Sequence, residues 1–281
     1  MSPERLLAAI MLVSLTFGAG LQVDWEHFVA TLKNVGLLVR ALIVNVAIVP
    51  LVGVVLAKLF RLPPAVATGF LLMAIAPGVP FVLMQVRKRG GRLGFAVALA
   101  AMLPLVSIVT VPLTAAFVLP SAATAQLPLM KFALTLVLFQ LLPLVVGIAI
   151  GTKAPNLAGR MGPIVQVLFF IAVIALIIAM GPRLVTGVAT VYGSNGMWAM
   201  LCLVIVSLAV GWAFGSPERE DRRVLSLGTA LRNVGLCALL ATSSFRAPQV
   251  AAAVLTYFII QFVVTAIVGM YYSRTAQRAV A

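Results

Sequence analysis

Apolar positions in this chain come in long uninterrupted runs, and polar and charged residues collect in the short gaps between them. A helical run crosses the hydrocarbon core of a bilayer when it holds about 20 apolar residues. Nine runs approach or exceed that length, near 5–23, 36–59, 64–86, 93–119, 129–151, 163–182, 193–214, 223–245 and 248–272. Gaps such as Arg61-Leu62-Pro63-Pro64, Gly90-Gly91 and Ala154-Pro155-Asn156 carry residues that end helices. No gap is long enough for a soluble domain. The first run has some features of a signal peptide, but Glu4 offsets Arg5 and the apolar stretch is long, so it reads as a membrane helix. The expected fold is an all-α polytopic membrane protein of nine transmembrane helices.

Two of the runs are interrupted. The run at 64–86 contains Ala76-Pro77-Gly78-Val79-Pro80, and each interior proline costs an ordinary helix about 3 kcal/mol. The run at 223–245 holds Gly228, Thr229, Arg232, Asn233 and Gly235 at its centre. An arginine at that depth costs roughly 2.5–3.5 kcal/mol on insertion scales. Its distance from Arg222 at the end of the run makes snorkelling a long reach. The expected structure is a discontinuous helix around a buried cation; the alternative is a continuous helix in which Arg232 pairs structurally. Each broken run is followed by one closing run. Interrupted segments at corresponding places in two halves point to an inverted-repeat transporter, with its site where the half-helices meet.

Composition narrows the class. With 63% hydrophobic and 9% charged residues and a mean hydropathy of +1.18, the chain is no soluble domain. Its net charge of +14 comes from 20 basic and 6 acidic residues. Most of the basic residues sit in or beside the loops, without interleaved aromatics, which excludes nucleic acid as the expected partner. Lys33, Arg87, Lys88, Arg89, Arg92, Lys153, Arg160, Arg219, Arg222, Arg223, Arg274 and Arg278 fall on one side of the expected topology. Arg5, Lys58, Arg61, Lys131, Arg183 and Arg246 fall on the other. The richer side is expected in the cytoplasm, with the C-terminus there and the N-terminus outside the cell membrane.

The polar residues inside the runs carry the candidate chemistry. Glu4, Asp24, Glu26, Glu218, Glu220 and Asp221 all lie in loops or at the N-terminus, and the single His27 is also in a loop. A carboxylate or histidine proton relay is therefore excluded at mid-membrane. Cys202 and Cys237 read as packing residues, and no cofactor, metal set or nucleophile–base pair is expected, so the chain is not read as an enzyme. Neutral candidates are Asn45, Gln85, Ser107, Thr110, Gln140, Ser226, Thr229, Asn233, Thr256 and Gln261. Serines and threonines usually bond their own helix, so Asn45, Asn233 and Gln261 are the more informative. Arg232 is expected to attract a small organic anion and Asn233 to orient it. Backbone at Pro77, Gly78 and Pro80 would add donors, with Asn45, Thr229 and Gln261 beside them.

The chain resembles the bile acid:sodium symporter family. Phe17-Gly18-Ala19-Gly20-Leu21 is similar to the family's FGMGL-type helix end, and PLVGVVLAKLFRLP from Pro50 to Pro63 to its P-x-x-G-x-x-L-A-x-x-F-x-L-P stretch. Ala76-Pro77-Gly78 resembles the start of its first broken helix. RVLSLGTALRNVGL, from Arg223 to Leu236, resembles the second. The resemblance implies two discontinuous helices crossing in a core domain (31–122 and 190–275) that moves against a panel domain (1–30 and 125–188). Where the family binds sodium through a glutamate, a glutamine and a Ser-Asn pair, this chain has Gly228, Arg232, Val82 and Leu83. Asn45 stands at another sodium-binding glutamine, and the substrate-contacting asparagine is kept as Asn233. No sodium site is therefore expected. The reading is a sodium-independent carrier of a small carboxylate by alternating access, with Arg232 replacing the sodium charge. The alternatives are a sodium-coupled symporter and a non-transporting sensor or scaffold of the same fold.

Overall fold

The computed structural model describes residues 2–23, 28–29, 31, 33–78, 86, 90–124, 129–245 and 247–278. Among these, seven helices are long and apolar enough to span a membrane. They are α1 (Pro3–Leu21), α2 (Val35–Leu59), α4 (Leu93–Val118), α5 (Met130–Lys153), α6 (Pro155–Gly193, bent at Gly181), α7 (Gly196–Phe214) and α10 (Pro248–Arg278). Between them lie three shorter helices: α3 (Pro64–Ile75), α8 (Arg219–Ala230) and α9 (Val234–Ser244). The chain is an all-α polytopic membrane protein with discontinuous helices.

Burial separates the short helices from the long ones. From Val66 to Ile75 α3 is buried throughout, as is α9 from Val234 to Ala241. By contrast α5 and α6 turn Met130, Ile164 and Ile178 outward, at 75%, 68% and 72% exposure. A helix that stops at mid-membrane leaves carbonyls and N–H groups that lipid cannot satisfy, so it must be enclosed by protein. Here α1 packs on α5, α6 and α9, while α10 lies against α3, α6, α7 and α9, and α8 runs along α7.

The second break falls at Leu231–Asn233, between α8 and α9, and not at Gly228 or Gly235. Gly228 stays helical inside α8. Gly235 is helical too and serves close packing, since a Cβ there would lie 2.8 Å from the Leu12 Cα of α1. The first break begins at Ala76, whose backbone is extended. Pro80, Val82, Leu83, Gln85, His27 and the Arg87-Lys88-Arg89 run lie outside the described residues.

Two of the spanning helices contain a widened π-helical turn, at Ile43–Ile48 in α2 and Val137–Leu141 in α5. In each the second residue after the turn is a proline, Pro50 or Pro143. In α2 the Val49 N–H bonds the Val44 carbonyl, five residues back. The next donor in that pattern would be residue 50, but proline has no N–H. The Asn45 carbonyl is thereby released from its own helix.

Candidate functional site

Where the two broken segments meet, Pro77 and Arg232 pair as an isolated antiparallel bridge. The Asn233 N–H donates to the Ala76 carbonyl at 3.0 Å. Gly78 lies so close that a Cβ on it would collide with the backbone of Arg232 and Asn233. From α10, Gln261 matches the backbone of Arg232 group for group: its Oε1 accepts from the Arg232 N–H at 2.9 Å, and its Nε2 donates to the Arg232 carbonyl at 3.3 Å. One carboxamide thus satisfies both main-chain groups that the helix break exposes.

Asn233 is the N-cap of α9, its Oδ1 accepting from the Leu236 N–H at 3.1 Å. The Asn45 Nδ2 donates to the Ala41 carbonyl at 2.9 Å and reaches the Thr229 hydroxyl at 3.4 Å. Six of the expected site residues, Arg232, Asn233, Thr229, Asn45, Pro77 and Gly78, therefore meet at this crossing, and Gln261 supports it from behind. Pro80 is outside the described residues.

The Arg232 side chain does not snorkel: it is 1% exposed. Nη1 donates to the released Asn45 carbonyl, a long contact of 3.4 Å, while Nε and Nη2 have no hydrogen-bond partner among the described residues. What offsets its charge is the arrangement of helix ends. The C-termini of α3 and α8 both finish at the crossing, and each such end carries roughly half a negative charge. The N-terminus of α9 opens there with the opposite sign. Other buried polar atoms lack partners as well, among them Asn45 Oδ1, Thr256 Oγ1 and the Tyr257 hydroxyl.

Gln140 and Ser107 belong to this network, although neither was among the expected site residues. Gln140 sits in the π-turn of α5 and accepts from the Asn233 Nδ2 at 2.9 Å. A sequence signal existed: like Asn45, it is an amide placed shortly before a proline within an apolar run. Cys237 is buried with its thiol 3.3 Å from the Leu72 carbonyl, and both cysteines are free. Among the described residues, no three His, Cys, Asp or Glu side chains gather as a metal set.

Broken helices that cross inside a membrane bundle, with a buried cation and helix ends converging on the crossing, are the arrangement found at the substrate sites of membrane transporters. The chain belongs to the Sodium Bile acid symporter family, whose model matches residues 9–187. It is 22% identical over 272 residues to the "Probable sodium/metabolite cotransporter BASS3, chloroplastic" of Arabidopsis thaliana, covering 94% of this chain and 61% of that protein. The protein of the same name from Oryza sativa subsp. japonica is 23% identical over 257 residues, with 88% and 59% covered. The human "P3 protein" is 23% identical over 250 residues, with 87% and 52% covered. The chain thus spans between half and three-fifths of the length of these relatives.

These relatives correct the expectation of sodium independence and of no sodium site, because the two plant proteins are named sodium cotransporters. The physical reason lies in what was counted. The expectation rested on side chains, with Gly228, Arg232, Val82 and Leu83 at the family's ligand positions, but sodium in broken-helix transporters is also held by unwound carbonyls and helix C-terminal ends. Two such ends are present here, beside the unpartnered Asn45 Oδ1.

Proposed function

We propose that this protein is a sodium-coupled transporter of a small organic anion, working by alternating access. The anion reading rests on one observation: a fully buried guanidinium at the crossing whose Nε and Nη2 have no partner among the described residues. Such donors are costly to leave unmet, and a carboxylate meets two of them at once. Asn233 and the N-terminus of α9 add donors on the same side. Sodium coupling is taken from the names of the plant relatives. The Asn45 Oδ1 and the carbonyl ends of α3 and α8 are the neutral oxygens suited to the ion. A bound anion offsets the charge of Arg232 and lowers the repulsion a sodium ion meets. The two bindings then strengthen each other by the same factor.

The architecture we propose has nine crossings in an inverted repeat, with α3 and the α8–α9 pair as its broken members. A panel of residues 1–30 and 125–188 moves against a core of 31–122 and 190–275. Within the panel α1 packs on α5 and α6, and within the core α10 packs on α3, α7 and α9, while α1 on α9 and α10 on α6 form the boundary between the two. For orientation we propose the N-terminus outside and the C-terminus in the cytoplasm. Arg223 donates to the Gly90 carbonyl and the Thr275 hydroxyl, and Arg92 pairs with Glu218 and Asp221. These contacts gather residues 90–92, the 219–223 segment and the end of α10 at one face.

Uptake of radiolabelled acetate, succinate, benzoate and cholate into proteoliposomes tests the function. Uptake of at least one is expected to follow an inward sodium gradient and to fail with potassium. Equal uptake in both salts would overturn the coupling. For orientation, a cysteine at Lys58 is expected to react with an impermeant reagent on intact cells, and one at Gln277 only after permeabilisation. The reverse pattern overturns the topology.

A further inference from the structure

Gln140 is wholly buried, and its carboxamide ties three elements together. Its Nε2 donates to the Pro104 carbonyl at 2.8 Å and to the Ser107 hydroxyl at 2.7 Å, both on α4. The Ser107 hydroxyl in turn donates to the Pro104 carbonyl at 2.7 Å. The Gln140 Oε1 accepts from Asn233 Nδ2 at 2.9 Å.

The direction of every bond is forced. A backbone carbonyl can only accept, so Pro104 turns the NH2 end of Gln140 toward α4 and its oxygen toward Asn233. A backbone N–H can only donate, so Leu236 holds the Asn233 oxygen and leaves the Asn233 NH2 facing Gln140. Asn233 therefore offers a donor at the crossing, and the oxygen that takes it belongs to the protein. That oxygen holds the position on Asn233 that a carboxylate oxygen of the substrate would need.

Resting on the reading of an anion site and a moving panel, we propose that Gln140 is a latch: a positioning residue whose carboxamide oxygen holds the Asn233 donor until an anion oxygen displaces it, so that substrate loosens the panel's grip on the core. The three bonds join α5, in the panel, to α4 and α9, in the core. Displacement by substrate removes the bond to the site and leaves the Pro104 and Ser107 bonds as the remaining grip. The latch also sets polarity, because Asn233 held in this orientation accepts an oxygen and rejects a group that can only donate.

The test uses spin labels on cysteines replacing Ile164, 68% exposed on α6, and Val109, 61% exposed on α4, in full-length protein carrying Cys202→Ser. Double electron–electron resonance then reads the panel-to-core distance. Gln140→Leu removes the carboxamide. Asn233→Ser keeps an oxygen to cap α9 but cannot reach Gln140 as the amide does. The latch predicts that both variants, without any anion, add a second distance to the single distance of the unsubstituted protein. It also predicts that Gln140→Leu binds a carboxylate roughly two- to tenfold more tightly, the worth of one internal hydrogen bond no longer competing. A merely structural Gln140 would lower the melting temperature and leave distance and affinity alone. Unchanged distances in either variant overturn the latch. If both variants shift while acetate, succinate, benzoate and cholate leave the unsubstituted protein unmoved, the latch stands and the anion reading fails. If a carboxylate shifts the unsubstituted protein while the variants do not, the anion reading stands and the latch fails.

Discussion

Arg223 and Arg232 are both buried and both lie in the second broken segment, each against a glycine from the other half of the chain. At the membrane end Arg223 is well met. Its Nη1 donates to the Gly90 carbonyl at 3.1 Å, its Nη2 to the Thr275 hydroxyl at 3.3 Å, and its guanidinium lies 6.0 Å from the Tyr272 ring centre, leaving Nε without a partner. Arg232 is deeper, and among the described residues its side chain has only the long bond to the Asn45 carbonyl. Burial alone does not say what an arginine does. The one met by several groups fastens α8 to the neighbouring loop and to α10; the one with a single long bond is the one we propose for a ligand.

The largest effect is expected at the glycine beside Arg232. Gly78→Ala would drive a methyl group into the backbone of Arg232 and Asn233, which Gln261 and the Ala76 carbonyl hold in place. Overpacking against backbone that cannot yield costs about 3 kcal/mol or more. Transport should be lost and the melting temperature should fall well below that of any other variant discussed here; a protein of native stability and activity would show that the crossing is looser than the structure has it.

Next comes Arg232→Gln. Desolvating a charge can cost more than its contacts return, so the protein should be as stable or more so. Anion binding should weaken by about 1.5–3 kcal/mol, roughly ten- to a hundredfold. Arg232→Lys should recover part of this, since a point charge lacks the bidentate fork. Calorimetric titration and thermal unfolding of the same preparations decide it. A less stable protein with unaltered affinity would make Arg232 another Arg223.

The mirror experiment is Arg223→Gln, for which the opposite split is expected. Stability should drop by about 1–2 kcal/mol as the Gly90 carbonyl and Thr275 lose a charged donor, while anion affinity stays within twofold. A tenfold loss of affinity would erase the distinction between the two arginines.

The smallest effect is expected at Gly90→Ala. Gly90 has φ of 63°, and a methyl there would meet Arg223 Nη1 and Ala276 Cβ at 2.6 Å. Holding a residue with a Cβ in that conformation costs roughly 1–2 kcal/mol, and the Arg223 side-chain end can swing aside where the Arg232 backbone cannot. A modest fall in melting temperature with uptake retained is the expected outcome, and a defect as severe as that of Gly78→Ala would remove the contrast between the two sites.

Much of this was legible in the chain alone. Long apolar runs identify a polytopic membrane protein because lipid leaves a spanning chain with no soluble domain few alternatives to the helix. Pro77, Gly78 and Arg232 marked the broken segments because a proline pair and a buried cation are too costly to keep in a continuous span without a use. Composition also located the anion candidate, since Arg232 has no carboxylate within the apolar runs. What only the tertiary structure decided is how backbone groups are shared between segments distant in sequence. The Asn45 carbonyl is freed by a π-turn and taken by Arg232, Gln261 covers both main-chain groups of Arg232, and Gln140 meets Asn233 from another helix. Main-chain carbonyls are the same in every residue and leave no mark in a sequence. That is why the substituted side chains at Gly228, Arg232, Val82 and Leu83 read as the loss of a sodium site, an expectation the plant relatives correct, and why the partners of each buried amide appeared only once the helices were packed.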